Sequence, residues 1–184
     1  MKDCPQTEGQ STLEHGFSVK NHLFDLLNHL RNGTPLKYEW KIPHWVYDNK
    51  DLILKSLPSD KTLKLATIFH DCGKWKCLVI DPSGKRHFPY HADESYQIFS
   101  SLFDDAIAGD LIKHDMDIHV LKSSDIEDFC KNPHSLTSLI IGLCEINSNA
   151  KMFGSLQSDS FKIKYKSILK KGKKIIEYHE KNRT

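Results

Sequence analysis

The sequence predicts a mainly α-helical fold carrying at most a small β-hairpin. Apolar residues recur at three- and four-residue spacing through several long segments, the period of an amphipathic helix. Serine, threonine and aspartate stand where those segments begin, and glycine or proline where they end. The one stretch that reads as paired strands is short, "LVIDPSGKRHF" at 78–88, with turn residues from Asp81 to Gly84 at its centre.

In chain order, Ser11 or Thr12 caps a first helix running to about Arg31, with Leu13, Phe17, Leu23, Leu26, Leu27 and Leu30 as its apolar positions. "NGTP" at 32–35 stops it. Residues 36–58 hold Trp40 and Trp45 between prolines and read as an irregular excursion with one short helix. Asp60 starts a helix through Leu63, Ala66, Ile68 and Phe69 that ends on His70 and Asp71, with Gly73 placed as its C-terminal stop. Helical patterns follow at 90–103, about 105–121, near 124–130, 134–149 and 159–180.

The chain has 184 residues, enough for one domain over 1–184 with a real core, which we place at about 12–150, ahead of a basic C-terminal helix at about 159–180. The formal net charge is +2, which excludes a polycation overall. No apolar run approaches the roughly 20 residues that span a bilayer, and "MKDCPQTEGQST" has no apolar signal core. Five cysteines without CxxC spacing argue against a disulfide framework or a zinc knot, so the expected location is cytoplasmic with reduced thiols.

The chemistry gathers around "LATIFHDCGKWKC" at 65–77. A buried imidazole and carboxylate must be paired with each other or must hold a cation, because taking them out of water is costly. His15, His22 and His29 recur every seven residues on nearly one helix face, but about 10 Å separates successive members at 1.5 Å per residue, so at most one reaches a given ion. Glu145 lies in an apolar helix and needs a partner. "FPYHADES" supplies His91 and, one turn on, Ser95; "LIKHDMDIHVL" supplies His114 and His119.

A histidine in an early helix, a His-Asp pair, further histidines and a late acidic residue form an order that resembles the HD-domain superfamily of metal-dependent phosphohydrolases. "FHDCGK" resembles its central motif and "EHGFSV" its first-histidine segment. "HADES", 21 residues after His70, is similar to a later histidine element of HD domains fused to tRNA nucleotidyltransferases. The resemblance implies His15, His70 and Asp71 as ligands of a divalent metal ion (Mn, Mg, Co, Ni, Zn or Fe). The family's last ligand is usually aspartate; this chain has none between Asp128 and Asp159, which leaves Glu145, or else Asn147 or Asn149. Lys74, His91, His114 and His119 are then implied as phosphate-contacting groups, general acids or ligands of a second ion.

The implied reaction is hydrolysis of a phosphate ester of a nucleotide or a nucleic-acid end, with acidified water as nucleophile. The rival is a binding module of the same fold that holds nucleotide or RNA without turnover; the glutamate in place of aspartate is the feature that favours it. The segment "FKIKYKSILKKGKK" has seven lysines and no acid over residues 161–174, which reads as a solvated amphipathic helix or as a contact for an oligonucleotide.

Overall fold

The computed structural model describes residues 1–7 and 9–182, and the fold is mainly α. Among the described residues no helix is long and apolar enough to cross a membrane. The chain divides into two units, each assembled from two separate segments.

The first unit takes Met1–Lys20 and Pro58–Met116. A short antiparallel hairpin, β1 (Pro5–Thr7) and β2 (Gln10–Ser11), leads into α1 (Thr12–Asn32), whose residues up to Lys20 belong here. Ser11 and Glu14 form the reciprocal cap at the start of α1: Glu14 Oε2 accepts from Ser11 N, and Ser11 Oγ accepts from Glu14 N. The unit continues with α4 (Asp60–Phe69), α5 (Lys74–Cys77), the hairpin β3 (Val79–Ile80) and β4 (Arg86–His87), α6 (His91–Leu102) and α7 (Ala106–Lys113). The hairpin expected at 78–88 is present, with Ile80 opposite Arg86 and the Asp81 carboxylate accepting from Ser83 and Lys85 in its turn.

Helices α4, α6 and α7 make the core of this unit. Phe69, Phe99 and Phe103 pack ring to ring with centroids 4.9 to 6.2 Å apart. Asp105 caps α7 by accepting from Ala108 N and also accepts the Thr62 hydroxyl, tying the starts of α7 and α4 together.

Two glycines let the backbones of this unit approach closely. A Cβ at Gly16 would run into the carbonyl of Ile68, so α1 lies against the last turn of α4. A Cβ at Gly73 would run into the backbone of Glu94 and Ser95. Gly73 follows the end of α4 as expected, but its φ of −84° is one any residue adopts, so what it supplies is space rather than a left-handed cap. Ser95 fixes the same contact: its buried hydroxyl accepts from Gly73 N at 2.9 Å, and its carbonyl accepts from the Cys72 thiol.

The second unit takes Asn21–Leu57 and the chain from Asp117 onward. The remainder of α1 is followed by α2 (His44–Asp48) and α3 (Lys50–Ser56), two short helices where one was expected. After α8 (Asp117–Val120) and α9 (Ile126–Cys130) comes α10 (Ser135–Ser148), buried almost all round, and then α11 (Asp159–Lys181) packed along it. Gly172 of α11 is the close-approach point, since a Cβ there would enter the indole of Trp45.

The excursion at 36–58 is clasped by Asp25. This buried carboxylate accepts from Lys37 N, Tyr38 N and the Trp40 indole at 2.9 to 3.2 Å. Asn147 then accepts from Lys41 N at 2.8 Å and donates to Leu143 O, which commits its amide to holding the same loop. His22 stacks on Tyr38 and His29 Nδ1 bonds Thr34 O, so both serve the packing of this loop.

The helix expected over about 105–121 is broken. It ends at Lys113, with His114 as its cap in a non-helical conformation, and resumes as α8 after a turn at 114–116.

Gly16→Ala is expected to cost about 1–3 kcal/mol by overpacking against backbone that cannot move aside. Gly109→Ala should cost less, because its nearest neighbour is the end of the Tyr96 ring at 3.3 Å. Urea unfolding of both variants, compared through their midpoints at constant slope, checks this ordering.

Candidate metal centre

The first unit is organised around the carboxylate of Asp71, which is 1% exposed. Phe69 ends α4, His70 and Asp71 form the turn beyond it, and α5 begins at Lys74. From this turn Asp71 Oδ2 meets Lys74 Nζ at 2.7 Å, His70 Nε2 at 3.3 Å and His15 Nε2 of α1 at 3.7 Å. Its other oxygen, Oδ1, faces His91 Nε2 at 3.5 Å.

The orientation of two of these imidazoles is fixed from behind. His70 Nδ1 lies 2.9 Å from Thr67 O, and His91 Nδ1 lies 2.8 Å from Phe88 O. A carbonyl oxygen only accepts, so each Nδ1 carries the proton and donates. In the neutral ring Nε2 is then a lone pair aimed at the Asp71 carboxylate, acceptor against acceptor. Such a pair is favourable only with a proton or a cation between the two atoms. Backbone-anchored imidazoles presenting Nε2 are the usual preparation of metal ligands.

The carboxylate itself fits a cation. Asp71 Oδ1 is buried and receives no hydrogen bond. Burial alone would raise the Asp71 carboxyl, but the charge and hydrogen bond that His70 supplies in its protonated form, with the charge of Lys74, outweigh it and hold the group well below the usual carboxylate range. Asp71 is therefore anionic across the physiological range. Cys72 beside it is a poor nucleophile, since burial pushes its thiol up to about 11 against a lowering hydrogen bond to Ser95.

Two groups of side chains in this unit could hold a metal ion. One is His15, His70 and Asp71; the other is Asp71, His91 and Asp115; in each, the ligand atoms lie within 4.8 Å of one another. Asp71 is common to both. Nothing similar to the chain was found: no family model matches it, and neither does any curated protein or solved structure.

The structure thus brings together His15, His70, Asp71, Lys74 and His91. Lys74 also donates to Gln6 of the β1–β2 hairpin at 3.0 Å and lies over the Phe88 ring. His114 is about a third exposed with Asp110 3.6 Å away, and it belongs to neither group of possible ligands. Glu145 and His119 lie in the second unit, where they pair at 2.8 Å; Lys171 donates to the His119 carbonyl.

Asp115 is the residue that motif reading passes over. It is buried and belongs to the group with Asp71 and His91, whereas its neighbour His114 attracts the eye. A signal exists: "IFHDCG" and "IKHDMD" both end an apolar helix on a His-Asp pair. What the letters do not carry is the break at His114, which ends α7 one residue before Asp115.

Tyr90, immediately before His91, has φ 58° and ψ 19°, the only described non-glycine residue with positive φ, and its side chain is 81% exposed. The left-handed conformation costs a non-glycine residue about 1–2 kcal/mol, here without compensating burial of the ring.

Two outcomes follow. Mn²⁺ at a hundredfold excess over its Kd should stabilise the protein by about 2.7 kcal/mol; Asp71→Asn should abolish that gain and His114→Ala should retain it, read by thermal unfolding with and without metal. Tyr90→Asn, a residue that tolerates the left-handed region, should raise the unfolding free energy by about 1 kcal/mol, read in denaturant.

Proposed function

We propose that the chain is a divalent-metal-dependent phosphohydrolase acting on a phosphate ester of a nucleotide or a nucleic-acid end. The observation that carries this reading is the pair of imidazoles, His70 and His91, each anchored through Nδ1 to a carbonyl and presenting Nε2 to one buried carboxylate. The order of these residues along the chain, which resembles the HD-domain phosphohydrolases, supports it as well.

In this reading His15, His70 and Asp71 hold the ion. A divalent ion there supplies an acidified water near neutral pH and neutralises charge on the phosphoryl oxygens. Lys74, only part-buried, is the group that binds and orients the substrate phosphate, and it carries a charge that acts on the transition state as well as on Asp71. His91 holds a proton at Nε2 against Asp71 Oδ1 and delivers it to the leaving oxygen. Asp115 lies in the same cluster as His91 and Asp71.

The test is a panel of nucleotides and of RNAs ending in 2′-, 3′- or cyclic phosphate, each with Mg²⁺, Mn²⁺, Co²⁺ or Ni²⁺. Phosphate release reports the monoesters, and chromatography reports ring opening of the cyclic ends. Turnover with at least one metal is expected; Asp71→Ala should remove it, and His91→Ala should lower it by about 10²- to 10⁴-fold, the range of a lost general acid. Folded, metal-loaded protein without turnover on any substrate would favour the binding module instead.

A further inference from the structure

The fourteen residues from Phe161 to Lys174 contain seven lysines and no acid, while the whole chain is only +2, so the rest of the protein is net negative. The net positive charge is therefore concentrated on one helix. In α11, Phe161, Ile168, Gly172, Ile175 and Ile176 are buried and, at about 100° per residue, form a single stripe. Lys166, Lys170 and Lys174 run one turn apart along the middle of the opposite arc, with Lys162 and Lys173 flanking them. All five are exposed, and they extend over about 18 Å at 1.5 Å per residue.

None of the central three is held in an ion pair among the described residues, although Lys174 lines a groove with Glu127 and Glu177. Lys162 has Asp159 at 3.7 Å and Lys173 has Glu177 at 3.9 Å, but Lys166, Lys170 and Lys174 form no ion pair among the described residues. Holding like charges in such a row is unfavourable by itself. Lys171, part-buried on the flank, shows the crowding: burial and then the charge of Lys164 bring its ammonium below the usual lysine range.

We propose that the outer face of α11 binds a nucleic-acid backbone through Lys166, Lys170 and Lys174, supported by Lys162 and Lys173, without regard to base sequence. A row of lysines provides compact charges on flexible stems suited to tracking phosphates. No arginine lies in the row to grip a carboxylate or a phosphorylated side chain bidentately. An anionic membrane is disfavoured because α11 turns its continuous apolar stripe into the protein and leaves only Ile163 and Leu169 as exposed large apolar side chains. The surface stands independently of the proposed hydrolysis, and either can fail alone.

The test is fluorescence anisotropy of the full chain with a labelled single-stranded oligonucleotide across a salt series. Binding is expected to weaken with salt with a log–log slope of about −3, from roughly −0.7 per neutralised phosphate. Lys166→Gln/Lys170→Gln/Lys174→Gln should reduce that slope by about 2 while far-ultraviolet circular dichroism stays unchanged. Lys50→Gln/Lys55→Gln/Lys61→Gln removes the same charge from exposed positions elsewhere and should leave the slope as it was. Equal loss in both triple variants, binding indifferent to salt, or binding to phosphatidylserine vesicles but not to the oligonucleotide would each overturn the proposal.

Discussion

A carboxylate sealed from water is expensive to keep ionised, and Asp71 imposes that condition on everything near it. Its charge is tolerated because three histidines and a lysine converge on two oxygen atoms. These four groups come from α1, the turn after α4, α5 and the start of α6. The packing of the first unit is therefore the means of delivering nitrogen atoms to one place. Gly16 lets α1 bring His15 in, and Gly73 with Ser95 seats the His-Asp turn against the helix that starts at His91.

The same local device orients two of the imidazoles. In each, the ring nitrogen nearer the backbone bonds a carbonyl three residues earlier, Thr67 for His70 and Phe88 for His91. Such bonds form inside a single turn and need no tertiary partner. The long-range part of the site is the convergence; the ring orientation is supplied locally. This division explains how a site assembled from four elements can present fixed donor atoms instead of mobile side chains.

Much of this was readable in the letters. The helices with strong apolar period, α1, α4, α6, α10 and α11, lie close to where spacing and caps put them, and the order of His15, the His-Asp pair and His91 pointed to the residues that the fold gathers. Where reading fell short, the cause was tertiary. Gly73 looks like a left-handed stop, yet it serves as a spacer against a helix 21 residues further on. Asp115 depends on a helix break that apolar period cannot foresee, because Ile118 continues the pattern past it. The loop after α1 looked shapeless since its organiser, Asp25, reads as one more solvated carboxylate of a helix until Lys37, Tyr38 and Trp40 fold back to it.

The interleaving of the two units sets a schedule for the chain as it is made. Every segment of the first unit has been synthesised by Met116, so Asp71 and the groups around it can assemble while later helices do not yet exist. Asn21–Leu57 has no such early completion. Leu23, Leu26, Leu27, Trp45 and Ile53, all buried in the finished protein, must wait for the residues from Asp117 onward. During that interval they form an apolar surface open to chaperones or to other chains.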